Sequence, residues 1–168
     1  MNPHLLALAG HFTEQLRASG WTLGVGESCT GGLLGSYLTA NPGVSDVFTH
    51  GFTCYSNLAK MDVLGVEQQV MIDHGSVSES VAVQMAEGAS AAARADVGLG
   101  LTGVAGPGGG TPQKPVGLVF GAICIRGTVH SESWQLSGNR ADVREGSVKA
   151  LLTFASRALS QSEGLRRF

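Results

Sequence analysis

Apolar residues recur at helical spacing near both ends of the chain. Between residues 3 and 18 they lie three and four positions apart, which predicts an amphipathic helix. Near the other end, Asn139 is a good capping residue, and a second helix is predicted from it to about Leu159. One face of this helix gathers the apolar residues Val148, Leu151, Leu152, Ala155 and Leu159. An alanine-rich helix is predicted between them, from Ser78 and Glu79 to about Ala95.

Apolar and β-branched runs between these helices predict strands. Three of them span residues 21–27, 47–56 and 96–106, and two more, 116–127 and 128–136, are joined by a tight turn. Helices alternate with strands early in the chain, and a hairpin comes late. This order predicts one domain over residues 1–168, of the α/β class, built as a three-layer α/β/α sandwich with a mixed sheet.

The remaining segments predict short helices and loops. Thr30 is expected to cap a helix that carries Gly31, Gly32 and Gly35, where the small residues suggest a closely packed neighbour. Asn57 is expected to cap a short helix bearing Lys60, and another short helix follows near residues 67–73. The string NPG at residues 41–43 predicts a turn, and residues 107–115 predict a loop rich in glycine and proline.

Composition and charge narrow the functional classes. Hydrophobic residues make up 43% of the chain, enough for a real core, and the net charge of −2 has no basic run that would favour nucleic acid. Three scattered cysteines and the absence of a signal-peptide pattern favour a reducing cytoplasm. The charge-free stretch 97–113 is too rich in glycine and proline for a membrane helix. The apolar hairpin edge makes a homo-oligomer an expectation.

The string GESCTGG at residues 26–32 is the first candidate for chemistry. Ser28 follows a buried strand and precedes a helix, where ligands gather in α/β folds and backbone N–H groups can hold an oxyanion. The string is one residue away from the G-x-S-x-G turn of α/β-hydrolases. An ordinary polar turn with a capping hydroxyl explains it equally well, and both interpretations stay open.

Tyr55 and Lys60, in CYSNLAK at residues 54–60, are the second candidate. A lysine near a strand end can enter a pocket, lose hydration and act as a general base for a hydroxyl nucleophile. The alternative is a surface lysine beside a half-buried tyrosine. The Tyr-x-x-x-x-Lys spacing is one residue longer than the dehydrogenase pair, which argues against a dehydrogenase.

Arg140 and Arg144, in GNRADVR at residues 138–144, are the third candidate. They share one helix face near the N-terminus, where the helix dipole disfavours cations unless an anion such as phosphate is bound. The alternative is two solvated arginines balanced by Asp142 and Glu145. We favour the anion site.

Other chemistry-bearing residues fit known sites less well. The loop GVAGPGGG at residues 103–110 lacks the lysine and spacing of a phosphate-binding loop. Cys29 is a rival nucleophile, although a buried, inert thiol is the simpler interpretation. No metal site is expected, because the five histidines lack ligand spacing: His4, His11, His50, His74 and His130. No cofactor is expected either.

Five strings taken together resemble the C-terminal domain of the CinA (competence/damage-inducible protein) family. They are GESCTGG (26–32), GFTCYSNLAK (51–60), HGSVSESVAVQMAEGA (74–89), LTGVAGPGGGTPQKPVGLV (101–119) and GNRADVR (138–144). They occur in the family's order and cover most of the chain from about residue 20 onward. Stand-alone members of the family include bacterial nicotinamide mononucleotide deamidases, so the resemblance implies hydrolysis of that carboxamide to nicotinate mononucleotide and ammonia.

The resemblance also implies roles for individual residues. Ser28 corresponds to the nucleophile, assisted by Tyr55 and Lys60, and Arg140, with Arg144 near it, is expected to meet the substrate phosphate. Further substrate-binding residues carried over from the matching strings are Glu27, Cys29, Thr30, Gly31, Asn57, Thr102, Gly103 and Gly106. The oxyanion would be held by N–H groups of the 28–31 turn together with Thr102.

Two rival functions remain. The first is a nucleotide-binding module of the same fold that uses this pocket without turnover. The second is a small α/β-hydrolase acting on esters, which would need an acid and then a histidine after Ser28, such as Asp46 with His74 or Asp96 with His130.

Overall fold

The computed structural model describes residues 1–164, and the side chains of residues 163 and 164 are outside the description. The helices are α1 (Pro3–Ser19), α2 (Leu33–Thr39), α3 (Asn57–Leu64), α4 (Gln68–His74), α5 (Glu79–Ala93) and α6 (Arg140–Gly164), with a 3₁₀ turn at Val44–Asp46. The strands are β1 (Leu23–Glu27), β2 (Phe48–Thr53), β3 (Val97–Gly103), β4 (Leu118–Ile125) and β5 (Thr128–Gln135). The predicted helices and strands are therefore all present, with shifted ends.

The five strands form one mixed sheet in the order β2-β1-β3-β4-β5. The first three strands in that order run parallel, and β4 and β5 add to them as an antiparallel hairpin. Because parallel strands end at the same edge, the chain segments that follow β1, β2 and β3 meet there. Ser28, Tyr55 and the glycine-rich loop are brought together in this way.

Helices cover both faces of the sheet, which confirms the three-layer α/β/α architecture. Helices α1, α2 and α6 pack together on one face, where the larger core includes Phe12, Leu16 and Leu151. Helix α5 crosses the other face over β1, β3 and β4, and α3 and α4 pack against it. The predicted apolar face of α6 is buried, as expected.

Glycines in the sheet let α5 lie directly on the strands. A Cβ atom at Gly98 would stand 2.0 Å from the Ala86 carbonyl oxygen, and one at Gly100 would stand 2.3 Å from the Ala82 carbonyl oxygen. Real Cβ atoms do not come so close to backbone, so any side chain here would push the helix away. Helix α5 therefore packs closely against the strands at these glycines.

Three local expectations are wrong. Gly31 and Gly32 precede α2, and their positive φ angles of 58° and 91° explain the glycines better than a packing neighbour. Thr30 does not cap α2, since its hydroxyl donates to Glu27. Ser56, rather than Asn57, caps α3 by accepting from Ala59 N.

Within residues 1–164, no helix is long and apolar enough to cross a membrane.

Candidate active site

A cavity of about 270 Å³ opens where β1, β2 and β3 end. Ser28 and Cys29 reach it from β1, Tyr55 from β2, and Thr102 from β3. The full lining is Ser28, Cys29, Tyr55, Asn57, Lys60, Ser76, Val77, Thr102, Gly103, Val104, Ala105, Gly106, Gly108, Gly109 and Arg140. Most of the predicted site residues are therefore neighbours, whereas Glu27, Thr30, Gly31 and Arg144 do not line the cavity.

Ser28 lies on a constrained turn with its side chain at the cavity wall. The residue is 8% exposed, and its N–H donates to the Leu101 carbonyl of β3 at 3.0 Å. Gly31 N–H donates back to the Ser28 carbonyl at 3.0 Å. The turn of residues 28–31 has four backbone N–H groups, and those of Ser28 and Gly31 are thus hydrogen-bonded to backbone carbonyls. In the described part of the chain, no backbone carbonyl accepts from Cys29 or Thr30. Because Cys29 also lines the cavity, its N–H is a candidate donor to an oxyanion.

Glu27 is buried beside this turn and is satisfied by three donors. It is 2% exposed and accepts from Thr30 Oγ1 at 2.6 Å, Leu34 N at 3.0 Å and Gly35 N at 2.8 Å. The last two N–H groups belong to the first turn of α2 and have no intrahelical acceptor. The carboxylate therefore takes the place of the side-chain cap that α2 lacks.

Lys60 is buried in the cavity wall without a charged partner. The residue is 3% exposed, and no described carboxylate forms an ion pair with its ammonium group. Burial lowers the pKa of Lys60 from its ordinary value, because desolvation penalises the charged form. Asn57 lies three residues earlier in α3, on the same face, and also lines the cavity. A lysine in this setting can accept a proton from a neighbouring hydroxyl.

Arg140 bridges two other walls of the cavity. Its Nη1 donates to the Gly106 carbonyl at 2.7 Å, and its Nη2 donates to the Tyr55 hydroxyl at 2.5 Å. Tyr55 is 58% exposed, so this contact holds an otherwise free ring at the cavity mouth. A guanidinium group has five N–H donors, and three of them stay available to an anion. Among the described residues, the phenol is hydrogen-bonded to Arg140 and not to Lys60.

Arg144 points to the Ser28 turn instead of the cavity. Its Nη2 and Nε donate to the Thr30 carbonyl at 2.6 and 3.2 Å. The N-terminus of α6 is also closed, since Asn139 Oδ1 accepts from Ala141 N and Asp142 N, and Asp142 Oδ2 accepts from Asn139 N. The expected capping role of Asn139 is confirmed, and the backbone N–H groups it occupies are not open to a phosphate.

Cys29 has the properties of an inert thiol. It is 6% exposed, and burial raises its pKa to about 11. The thiolate is the nucleophilic form, so a thiol of this kind stays protonated near neutral pH. Burial therefore argues against Cys29 as the nucleophile, and Ser28 remains the candidate that the turn presents to the cavity.

The glycine-rich loop, which sequence reasoning set aside as a phosphate loop, forms one wall of the cavity. Residues 103–106, 108 and 109 line the cavity, and the Gly106 carbonyl accepts from Arg140. The loop is tied to α4 by Lys114, whose ammonium group donates to the His74 carbonyl. Thr102 Oγ1 donates to the Ser76 carbonyl at 2.9 Å, which holds the segment before α5 in place and commits the hydroxyl proton expected for the oxyanion.

Ser76 and Val77 line the cavity, although the sequence analysis did not select them. Both lie in the matching string HGSVSESVAVQMAEGA, directly before the cap of α5. Their position in a string shared with the family was the only signal that could have found them. The connection between α4 and α5 is too short to show a helical or strand pattern, so no periodicity marks its residues as part of the cavity lining.

The described lining contains basic residues and lacks acidic ones. Among the residues that the structure describes, Lys60 and Arg140 are its two basic residues, and no Asp or Glu belongs to it. No histidine lines it either, so the histidine-dependent α/β-hydrolase alternative loses its base. Within residues 1–164, no group of three or more His, Cys, Asp and Glu side chains could hold a metal ion.

Comparison with known protein sequences points to one family. A model of the CinA C-terminal domain matches residues 6–159. A CinA-like protein of Syntrophobacter fumaroxidans is 45% identical over 152 residues, which are 90% of this chain and 36% of that protein. A CinA-like protein of Kosmotoga olearia is 44% identical over 144 residues, which are 86% of this chain and 35% of that protein. The chain thus spans about a third of the length of these relatives.

Solved structures share the fold over nearly their whole length. A competence/damage inducible protein, CihA, from Agrobacterium tumefaciens is 37% identical, with a TM-score of 0.91 over 95% of this chain and 98% of that chain. A competence-damaged protein (CinA) superfamily protein from Escherichia coli is 33% identical, with a TM-score of 0.87 over 95% of this chain and 92% of that chain. The matched range, the identities and the shared fold agree, and the chain belongs to the CinA C-terminal domain family.

Proposed function

We propose that the protein hydrolyses the carboxamide of nicotinamide mononucleotide to nicotinate mononucleotide and ammonia, with Ser28 as the nucleophile. The observation that carries this proposal is the pair formed by Ser28 and Lys60. A hydroxyl on a constrained turn lines the same cavity as a buried lysine that has no ion-pair partner among the described residues. The resemblance of the site strings to those of family deamidases supports the choice of substrate.

Lys60 acts as the general base. Burial lowers its pKa, so the neutral amine is more accessible than in an exposed lysine. The amine takes the proton of the Ser28 hydroxyl while Ser28 Oγ attacks the amide carbon, and a tetrahedral oxyanion forms. The N–H of Cys29 stabilises this oxyanion from the turn.

Tyr55 and Lys60 serve the departure of ammonia. Tyr55 accepts a hydrogen bond from Arg140, and its own hydroxyl proton remains free to be donated. Tyr55 donates this proton to the amide nitrogen and is reprotonated by Lys60, which still holds the proton taken from Ser28. The C–N bond then breaks, ammonia leaves, an ester remains on Ser28, and Lys60 is neutral again. A water molecule, deprotonated by Lys60, then cleaves the ester and restores the Ser28 hydroxyl.

Arg140 recognises the phosphate. Its guanidinium group is fixed by Tyr55 and Gly106 at the cavity mouth and keeps three donors for phosphate oxygens. No carboxylate of residues 1–162 lines the cavity, so none of them repels a dianionic group there. Asn57 and the loop carbonyls supply neutral polar contacts for the ribose and the carboxamide.

The test is turnover of purified protein with nicotinamide mononucleotide, followed by ammonia release and by chromatography of the nucleotide. Equal amounts of ammonia and nicotinate mononucleotide are expected. Binding of the nucleotide without any ammonia would refute the hydrolase and favour the nucleotide-binding module. Nicotinamide riboside, which lacks the phosphate, serves as a matched substrate and should react with a higher KM.

A further inference from the structure

The geometry points to Glu27 and Arg144 as positioning residues that hold the turn carrying Ser28 and do not contact the substrate. This inference rests on the proposed hydrolase function of Ser28 and extends it to two charged residues outside the cavity. Both were expected from the sequence among the substrate-binding residues. Their contacts in the structure assign them a different task.

Thr30 is the point at which both residues act. It is fully buried, at 0% exposed, and lies two positions after Ser28. Its hydroxyl donates to Glu27 at 2.6 Å, and its carbonyl accepts from Arg144 at 2.6 Å and 3.2 Å. One residue of the turn is therefore held from two sides by charged groups. Charged partners make such hydrogen bonds stronger than neutral ones.

Glu27 fastens the turn to the helix that follows it. The carboxylate that accepts from Thr30 also accepts from Leu34 N and Gly35 N, so β1, the turn and α2 share one buried anion. Its backbone carbonyl accepts from Cys54 N at 2.8 Å, which joins the turn to the end of β2. All of these contacts lie behind the wall that Ser28 presents to the cavity.

Arg144 fastens the same turn to α6. It lies one helical turn beyond Arg140, which reaches the cavity, and the two arginines divide their contacts. Arg140 holds Tyr55 and the Gly106 carbonyl, whereas Arg144 directs Nε and Nη2 to one carbonyl oxygen of the turn. Helix α6 thereby sets the distance between the phosphate-binding group and the nucleophile.

Loss of either positioning residue should therefore change kcat and leave phosphate recognition unaffected. A small displacement of a nucleophile lowers the rate strongly, and about 1 Å can cost 10²-fold. We expect Arg144→Ala and Glu27→Gln to lower kcat by about 10- to 100-fold with little change in KM. The factor should be equal for nicotinamide mononucleotide and nicotinamide riboside, because neither residue meets the phosphate.

Arg140→Ala is the matched control on the same helix face. It should raise KM for the mononucleotide by about tenfold or more and change KM for the riboside little. Arg144→Lys keeps one donor for the Thr30 carbonyl and should recover part of the lost kcat. A thermal melt of each variant shows whether the fold is retained.

A selective rise in KM for the mononucleotide in Arg144→Ala would overturn the inference, since it would make Arg144 a phosphate ligand. Unchanged kcat in both Arg144→Ala and Glu27→Gln would overturn it as well. The rate at which phenylmethylsulfonyl fluoride modifies Ser28 gives a second readout that needs no amide turnover. That reaction forms the Ser28 sulfonate ester and releases fluoride, with the hydroxyl proton passing to Lys60.

The second readout separates the two proposals. If the parent protein releases no ammonia, the proposed function fails. The positioning inference is then judged by sulfonylation, which should be about tenfold slower in Arg144→Ala and Glu27→Gln than in the parent. Equal sulfonylation rates in the three proteins would refute it.

Discussion

Replacement of Lys60 by methionine should make the protein more stable and nearly inactive. Lys60 is 3% exposed and has no described ion-pair partner, so its ammonium group loses much of its hydration on folding and no ion pair offsets the loss. Methionine keeps an unbranched apolar side chain in the same space and removes the charge. The substitution thus tests the burial of Lys60, which lowers the pKa of its side chain and makes it suitable as a base.

The magnitude follows from the burial of an unpaired group. A buried polar group without a partner costs about 1–3 kcal/mol, and a charged group costs more. We expect the free energy of unfolding of Lys60→Met to rise by about 1–3 kcal/mol near neutral pH. For a chain of 168 residues, each 1 kcal/mol corresponds to about 2–4 °C in melting temperature. Loss of the general base should lower kcat by about 10²- to 10⁴-fold.

The pH dependence of stability has a defined sign. The pKa of Lys60 is lowered in the folded state, so the unfolded chain binds more protons between that pKa and the ordinary value of 10.5. The free-energy cost of burying the charged Lys60 is fully present below its folded-state pKa and disappears as the pH rises towards 10.5. The parent protein should therefore gain stability relative to Lys60→Met as the solution becomes alkaline, and the difference between the two should shrink.

Urea denaturation at several pH values measures this difference, with ammonia release measured on the same samples. Lys149→Met is the matched control, because Lys149 is exposed on α6 and its replacement should change stability by less than about 0.5 kcal/mol. The reasoning would be refuted by a Lys60→Met protein that is less stable than the parent at every pH. It would equally be refuted by one that retains the parent's turnover.

Three further predictions concern the fold, the phosphate and the thiol. Gly98→Ala should lower the free energy of unfolding by about 1–3 kcal/mol in urea titrations, because its Cβ would lie 2.0 Å from the Ala86 carbonyl oxygen, whereas Gly108→Ala, with open space around it, should be neutral. Inorganic phosphate should inhibit the parent competitively and lose that effect in Arg140→Ala; equal inhibition of both would place the phosphate elsewhere. Iodoacetamide should alkylate Cys29 slowly near neutral pH and faster as the pH approaches about 11, and rapid labelling at neutral pH would contradict its raised pKa.

Much of the fold could be predicted because its signals are local. The apolar face of α6, the Ser78 cap of α5 and the β4–β5 hairpin each depend on residues close together in the chain, and each is confirmed. The predicted cap of α3 is wrong because two neighbouring polar residues compete for that position. Ser56 and Asn57 are both good capping residues, and only the direction in which the chain leaves β2 decides between them.

The cavity could be predicted in part because it lies at strand ends. Ser28, Lys60 and Arg140 were selected from three separate strings, and the sheet brings them to one lining. The hydrogen bonds that lie behind the cavity wall could not be predicted from the positions of strand ends. Arg144 meets Thr30 across 114 positions, and the sequence places it beside Arg140 with no sign that their contacts differ.

Glu27 illustrates the same limit at short range. Its neighbours in GESCTGG suggest a role in the site, and a carboxylate next to a nucleophile is commonly interpreted as a substrate ligand or a base. Its partners include the N–H groups seven and eight residues ahead, which lack an intrahelical acceptor in the first turn of α2 and follow the positive-φ turn at Gly31 and Gly32. The positioning role of Glu27 thus depends on where the backbone places these N–H groups, which the residue type alone does not reveal.

Ser28→Ala tests the central claim most directly. The variant is compared with the parent and with Ser133→Ala, an exposed serine on β5, for ammonia release and for binding of nicotinamide mononucleotide. We expect Ser28→Ala to lose turnover by about 10³-fold or more and to bind the nucleotide as tightly as the parent, while Ser133→Ala behaves as the parent does. Turnover by Ser28→Ala at the parent's rate would contradict the serine mechanism.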